Sequence, residues 1–393
     1  MNIPFTRPDI TEAEVDAVVS VLRSGWLTGG PVVARFERAL AARCGVGEAV
    51  CCASATAGLE LVLRLLEIGP GDEVIVPAYT FSATAAAVVH VGARPVLADC
   101  LPGRFHLDPA AVEPLFSDRT AAVIGVDLAG VCCDYDALRA VCAARPTRAR
   151  RGLAALVGRP WVIADAAHSR GGSLPDGRAS GALADWSVFS FHAAKNLTTG
   201  EGGAITWRLP GGADTELRRA LERLALHGQD RSARERERDG GVRYDILSCG
   251  YKCNLTDLQA AVGLSQLGRY DAMLARRRAL VARYAAGLPD GWSALGHPAG
   301  SACHLFLALL PPEQAARRDG LLERLAARGV RANLHYRPLP MLTAYRRMGW
   351  RESDFPHAVA LYRRELSLPL SSVLHGDEAD EVLRQLADAV RAD

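Results

Sequence analysis

The chain has 393 residues, which is enough for one large domain and a smaller one, since a single core stops growing at roughly 250–300 residues. Its composition, with 49% hydrophobic residues, 23% charged residues and a net charge of +2, is that of a globular protein and argues against a nucleic-acid partner. No apolar stretch has the length of a membrane span or a signal segment, and the ten cysteines form no CxxC pair, so we expect a cytoplasmic protein without a metal site.

Seven short β-rich runs alternate with helical stretches in the first half of the chain. They cover residues 49–54, 73–78, 94–100, 121–128, 161–167, 186–192 and 202–207. This alternation predicts an α/β fold with a mostly parallel seven-stranded sheet covered on both faces. Ligands of such sheets bind at the carboxyl ends of the strands, so the polar groups that follow the runs are the candidates for function.

The second half of the chain has a different pattern. The charged stretch 231–241 has no hydrophobic period and predicts an exposed loop. Thr256 and Gln259 have the spacing of a capping box, and a long helix is expected from there to about residue 286. Strands are predicted at 304–310 and 331–336 in a small α+β unit. We therefore predict a large α/β domain over 1–248 and a smaller C-terminal domain over 249–393.

Lysine is rare in this chain, because only Lys195 and Lys252 occur among 46 basic residues. Arginine serves wherever a positive charge suffices, so a retained lysine is a candidate for chemistry that needs a deprotonatable amine. Lys195 follows a predicted strand and precedes a glycine-rich loop, which suits a catalytic amine that forms a Schiff base and carries protons. Coding bias and an ordinary surface position are the alternative for either lysine.

Asp165 closes an apolar strand, and a carboxylate buried there needs a cationic partner. In an enzyme that uses pyridoxal phosphate (PLP), that partner is the pyridine nitrogen. Helix capping is the alternative for this aspartate. Ser54, Thr56 and Gly58 open an amphipathic helix directly after a strand and predict a phosphate-binding helix N-terminus, with Ser190 as a further hydroxyl. Capping alone would also explain the hydroxyls of this motif.

Two aromatic side chains, Tyr79 and Phe81, lie just past the end of a predicted strand. Either ring could cover the face of a flat cofactor, since stacking contributes roughly 1 kcal/mol beyond burial. Packing in the core is the alternative for both.

In this order, the motifs resemble those of the DegT/DnrJ/StrS-type sugar aminotransferases, PLP enzymes of the aspartate aminotransferase fold (fold type I). The resemblance extends through SGWLTGGPVVARFE (24–37), GPGDEVIVPAYTFSAT (69–84), ADAAHS (164–169), GYKCNLTDLQAAVGLSQL (250–267) and NLHYRPL (333–339). In SATAG, FSFHAAKN and GYKCNL the chain is most similar to the branch of UDP-4-amino-4-deoxy-L-arabinose aminotransferase. Related dehydratases carry histidine at the lysine position, so the retained Lys195 favours transamination.

The resemblance implies a cofactor site and a shared dimer. It implies Lys195 as the Schiff-base lysine, Asp165 on the pyridine nitrogen, His168 beside the ring oxygen, Phe81 stacked on the ring, Thr56, Ala57 and Ser190 on the phosphate, and Asn254 on the phosphate of the neighbouring subunit. The active unit would be a homodimer with two shared sites.

The implied reaction moves the amino group of L-glutamate to a nucleotide-linked keto-deoxysugar, at C-4, while PLP alternates with pyridoxamine phosphate. A 3-keto sugar acceptor, a PLP-dependent lyase or desulfurase, and a non-catalytic regulator of the same fold remain open. Three departures from the family pattern are Pro338-Leu339-Pro340 in place of PLH, residues 127–130 in place of an HxYG-like segment, and an apparent insertion at 145–160. The first two leave the sugar open.

Overall fold

The structure, a computed structural model, describes residues 2–145, 153, 156–212 and 214–392. Seven strands form its large sheet: β1 (Ala49–Cys52), β2 (Glu73–Pro77), β3 (Arg94–Ala98), β4 (Thr120–Val126), β5 (Trp161–Asp165), β6 (Trp186–Ser190) and β7 (Gly203–Trp207). Their order is β1-β7-β6-β5-β4-β2-β3, and β7 alone runs antiparallel to its neighbours. The predicted fold class and all seven strand positions are confirmed.

Helices lie against this sheet and continue into the C-terminal part. Their bounds are α1 (Glu12–Ser24), α2 (Pro31–Cys44), α3 (Ala55–Leu65), α4 (Ser82–His90), α5 (Pro109–Val112), α6 (Tyr135–Ala143), α7 (Asp214–Ala225), α8 (Ala233–Arg238), α9 (Asp257–Gly287), α10 (Arg318–Ala327), α11 (Thr343–Arg347), α12 (Pro356–Arg364) and α13 (Gly376–Arg391). Six of the seven strands are buried along their whole length, as expected when helices cover both faces of a sheet.

A second sheet of three antiparallel strands lies in the C-terminal part, in the order β10-β9-β8. These strands are β8 (Ser293–Ala294), β9 (Phe306–Leu309) and β10 (Glu365–Leu368). The long helix α9 begins after Thr256, whose hydroxyl accepts from Gln259 N–H as the capping box predicts. Because α9 packs against α1, α2 and α13, it connects the two parts of the chain. The domain division at 248/249 stays a prediction.

Two predicted elements are wrong. Within 231–241 the structure has helix α8, because Ser232 and Glu235 form a capping box that starts a turn of arginine and glutamate, both good helix formers. In place of the strand predicted at 331–336, the structure has one isolated bridge, from Asn333 to Ser367. Strand β10 instead occupies the place beside β9, so the prediction chose the wrong segment for that edge.

The predicted insertion at 145–160 lies largely outside the described residues, as does most of the basic run 145–151. Among the helices described, none is both long and apolar enough to cross a membrane. Over the same ranges, His, Cys, Asp and Glu side chains form no group of three that could hold a metal ion.

Candidate active site

Asp165, the last residue of β5, is a buried acid at the edge of the sheet where the parallel strands β2, β4 and β5 have their carboxyl ends. Its side chain is only 6% exposed; Oδ2 accepts from Thr84 Oγ1 at 2.7 Å, and Oδ1 accepts from Ala167 N–H at 3.3 Å. Burial raises the pKa of Asp165, while Thr84, Ala167 and the charge of Lys195 oppose that rise. No helix starts at Asp165, so the capping alternative is wrong.

Asp165 therefore has the environment that a protonated pyridine nitrogen requires. Within the described ranges no arginine, lysine or histidine forms an ion pair with it, so two neutral donors are all that satisfy a buried carboxyl. A buried acid in this state is stabilised by a cation placed against it. The residues present thus fit PLP at this position.

Lys195 lies in the turn after β6, where its backbone N–H donates to His192 O at 2.8 Å. Burial lowers the pKa of its amine to about 8, and the negative charge of Asp165 opposes this shift. No hydrogen bond holds Nζ to any part of the chain that the structure describes. Lys195 is therefore an amine that can lose its proton slightly above neutral pH and can move.

His168 follows β5 and is held in one tautomer. Its Nδ1 accepts from Ala129 N–H at 3.2 Å, so the ring hydrogen is assigned to Nε2, which donates to Tyr336 Oη at 3.2 Å. Burial, with the charge of Lys195, lowers the pKa of His168 well below its usual range, so the ring is neutral. Tyr336 is a site residue that the sequence analysis missed, although it lies in the NLHYRPL motif.

A second histidine, His304, lies against His168 with 4.3 Å between ring centroids. Its Nδ1 donates to Asn196 Oδ1 at 2.9 Å, because the Asn196 amide is oriented by its own donation to Ala302 O at 2.6 Å. Asn196 directly follows Lys195 in the chain, so this network limits the movement of the lysine backbone. His304 and Asn196 were also missed; no sequence spacing links them.

The first turn of α3 is the candidate phosphate site. Ser54 caps this helix and accepts from Ala57 N–H at 3.1 Å, which leaves the amides of residues 55 and 56 without a partner in the helix. Gly203 of β7 comes so close that a Cβ there would lie 2.6 Å from the carbonyl carbon of Ser54. The predicted contacts Thr56 and Ala57 both belong to this turn, which suits an anion.

Ser190 ends β6, and its Oγ accepts from His192 N–H at 3.3 Å. The two aromatic candidates differ. Tyr79 is fully buried against Phe105, and its hydroxyl donates to His335 O at 3.0 Å, so Tyr79 is a packing residue. Phe81 is 58% exposed, with its ring 5.4 Å from Tyr336, and it remains the candidate for stacking.

Asn254 lies beside the end of β1, where a bridge joins it to Cys52. Its Nδ2 donates to Leu255 O at 3.0 Å, and its Oδ1 accepts from Lys252 Nζ. Lys252 thus supports Asn254, and it is the charge of Lys195 that acts on Asp165. A contact from Asn254 to the neighbouring subunit stays a prediction.

The structure brings the central candidates into one electrostatic unit, since the charge of Lys195 shifts the pKa of both Asp165 and His168. Thr84 completes this group. The sequence analysis quoted Thr84 only as the end of PAYTFSAT and assigned it no role. Its place in the site follows from a contact between residues 81 positions apart.

Comparison with known proteins identifies the family to which the chain is similar. The family model described as the DegT/DnrJ/EryC1/StrS aminotransferase family matches residues 8–387. The spore coat polysaccharide biosynthesis protein SpsC of Bacillus subtilis is 37% identical over 397 residues, which cover 99% of this chain and 97% of SpsC.

Two solved structures are similar over the whole chain. Spr1654 of Streptococcus pneumoniae, assigned as a sugar aminotransferase and solved in its PLP form, has a TM-score of 0.95 at 40% identity, covering 100% of this chain and 99% of its own. DesI, solved in the presence of its TDP-sugar product, has a TM-score of 0.84 at 31% identity, covering 100% of this chain and 94% of its own.

Proposed function

Because this chain belongs to the DegT/DnrJ/EryC1/StrS aminotransferase family, we propose that it transfers the amino group of L-glutamate to C-4 of a nucleotide-linked keto-deoxysugar. It is a PLP-dependent sugar aminotransferase of fold type I. The observation that carries the catalytic part is the buried, unpaired carboxyl of Asp165 with Lys195 in its electrostatic field. The TDP-sugar product of DesI supports a nucleotide-linked acceptor. Amination at C-4 is supported by the motifs SATAG, FSFHAAKN and GYKCNL.

The residues of the site divide the work of such a reaction. When bound, PLP supplies an electron-accepting ring for deprotonation at the carbon that bears the amino group. Asp165 would keep a proton on the pyridine nitrogen, and Thr84 orients the carboxylate for this contact. Lys195 Nζ, with a pKa of about 8, would take the proton from Cα of glutamate and return one when the sugar is aminated.

The phosphate and the ring face would be held by other elements. The amides at the start of α3, with Ser190, would bind the phosphate, and Phe81 would cover the ring. His168 would lie beside the ring oxygen as a neutral group, because burial keeps it unprotonated. These assignments leave Asp165 as the one carboxylate at the pyridine nitrogen.

We also propose a homodimer with shared sites. Next to Lys252 and Asn254, the segment 242–251 exposes a run of apolar side chains, of which Val242 is 88% exposed. Apolar runs of this kind mark interaction surfaces, and a second copy of this chain would cover them. Light scattering on the purified protein should give the mass of a dimer, and Val242→Asp with Tyr244→Asp should lower it to a monomer.

The state of the cysteines is the basis for proposing a cellular compartment. All ten lie in the described part of the chain and are free, which fits a reducing compartment. We therefore propose that the protein works in the cytoplasm.

A panel of nucleotide amino sugars tests the reaction in reverse, with 2-oxoglutarate as the acceptor. Glutamate should form with 4-amino sugars, and NMR of the sugar product should show a carbonyl at C-4. Glutamate formation with 3-amino sugars alone would contradict C-4. If glutamate converts the cofactor but no nucleotide amino sugar reacts, the proposed acceptor is wrong. Product release from an amino acid without any keto acceptor would indicate a lyase instead. Lys195→Ala is the inactive control.

A further inference from the structure

Strand β10 carries a buried carboxyl, that of Glu365. Glu365 is 0% exposed, and none of the described basic groups forms an ion pair with it. Its Oε2 accepts from the backbone N–H of His335 at 3.0 Å, and its Oε1 is hydrogen-bonded to Ser367 Oγ. Ser367 Oγ in turn lies 2.8 Å from His335 Nδ1. Glu365, Ser367 and His335 thus form one continuous hydrogen-bonded chain.

The histidine at the end of this chain borders the active site. Its ring stacks on Phe5 with 5.0 Å between ring centroids and lies edge-on to Tyr336 with 4.9 Å between centroids. Tyr336 is in turn hydrogen-bonded to His168. Burial and the nearby charge of Lys195 lower the pKa of His335 to about 3, so the ring is neutral. Its side chain is partly exposed, and Nε2 has no partner among the residues described. A substrate can therefore meet this nitrogen.

The hydrogen-bonded series Glu365, Ser367 and His335 has two consistent arrangements of its hydrogens. If Glu365 is ionised, Ser367 donates to Oε1, His335 Nδ1–H donates to Ser367, and Nε2 is a bare acceptor. If Glu365 carries a proton on Oε1, that proton is donated to Ser367, Ser367 donates to Nδ1, and Nε2 carries the hydrogen. The backbone donation from His335 to Oε2 is kept in both. Adding one proton to Glu365 thus moves the ring hydrogen of His335 from Nδ1 to Nε2.

We propose that Glu365 is a positioning residue which, through Ser367, decides whether His335 Nε2 donates or accepts a hydrogen bond to the sugar substrate. The substrate part rests on the proposed sugar-nucleotide acceptor; the tautomer part does not. None of the three side chains belongs to the PLP site described above. These three side chains thereby select which group of the sugar His335 Nε2 can bind.

The charged and titratable surroundings favour the protonated acid at neutral pH. Burial raises the pKa of Glu365 to about 8, opposed by Ser367, the His335 amide and the charge of Arg318 on α10. Tyr79 and Tyr336, the other titratable groups that face Glu365, have pKa values raised by burial and stay neutral. Below about pH 8, Nε2 is then a donor, and above it an acceptor.

The groups that face His335 do not compete with this proton. His168 and His304 are neutral, since burial lowers the pKa of both well below the usual range. Lys195 acts on His335 only through its charge. Because the pKa of Lys195 is also about 8, a pH response of the His335 tautomer near pH 8 is assigned to Glu365 only if it disappears when Glu365 cannot ionise.

Nitrogen NMR of the PLP-loaded protein with ¹⁵N-histidine tests the tautomer, with His335 assigned by its loss in His335→Gln. In the wild type, the ring nitrogen shifts should exchange with a midpoint near pH 8. Glu365→Gln imitates the protonated acid and should keep the Nε2–H form throughout, and Ser367→Ala should abolish the exchange. Glu37→Gln is the matched control, because Glu37 is also a buried acid but contacts Cys51 and Arg218. An exchange that survives in Glu365→Gln, or its absence in the wild type, overturns the proposal.

Steady-state kinetics test the substrate part separately. Loss of one donated hydrogen bond should raise KM for the nucleotide sugar about fivefold as the pH rises through 8 in the wild type, but not in Glu365→Gln. A KM that follows the same pH curve in both proteins overturns the contact with the sugar. The NMR experiment needs no sugar, so failure of the sugar panel and failure of the tautomer relay give different results.

Discussion

Thr84→Val should change the pH dependence of the enzyme. The hydroxyl of Thr84 donates to Asp165 Oδ2 at 2.7 Å, and both side chains are buried. A hydrogen bond to a charged group is worth about 1.5–3 kcal/mol, and each pKa unit corresponds to about 1.4 kcal/mol. Valine keeps the shape of the side chain but cannot donate, so the pKa of Asp165 should rise by about 1–2 units.

The sign of the kinetic effect follows from the role of Asp165. The carboxylate must be ionised to hold the proton on the pyridine nitrogen, so a higher pKa of Asp165 means that the active form is lost at a higher pH. The value of kcat/KM for L-glutamate should fall on the acid side of its pH profile, and the acid limb should move to higher pH by about 1–2 units. Stopped-flow absorbance of the glutamate half-reaction measures both quantities.

Thr206→Val is the matched control. Thr206 is also fully buried, but its hydroxyl donates to Gly181 O at 2.9 Å, away from Asp165. This variant should lose about 1 kcal/mol of stability and keep its pH profile. A wild-type profile in Thr84→Val, or an equal loss of activity in Thr206→Val, would refute the assigned role of Thr84.

Further predictions concern the lysine and the phosphate site. Lys195→Ala should abolish turnover, measured as glutamate consumption, while Lys252→Ala should keep most of it. Comparable losses in the two variants would contradict the assignment of Lys195 as the catalytic lysine. The rate of PLP capture by the apoprotein should rise with pH through about 8, because only the neutral Lys195 amine is nucleophilic; stopped-flow rates that stay constant between about pH 6 and about pH 9 would contradict this. Gly203→Ala should weaken PLP binding and cost about 1–3 kcal/mol of stability, since its Cβ would displace the start of α3. PLP titration measures the affinity and thermal unfolding measures the stability. Wild-type values of both would show that the helix start tolerates the side chain.

Local sequence patterns predicted the large sheet well and the C-terminal part less well. The strands of the large sheet are short apolar runs that end in polar or small residues, and all but β3 are buried along their whole length. Near the C-terminus, 331–336 and 365–368 have similar patterns, and only the pairing with β9 decides that the second is the strand. The charge-rich stretch 231–241 has no apolar period, so a short capped helix was missed.

The candidate site shows the same division. Asp165 and Lys195 could be proposed from the sequence because both follow strands at their carboxyl ends, a position that local pattern defines and that parallel sheets use for ligands. Thr84, Tyr336 and the chain from Glu365 to His335 were not found. Their hydrogen bonds join residues 81, 168 and 30 positions apart, and such contacts exist only after the chain has folded. Burial then sets the pKa values of Asp165, Lys195 and Glu365, since loss of water disfavours each charged form, and burial is a property of the tertiary structure.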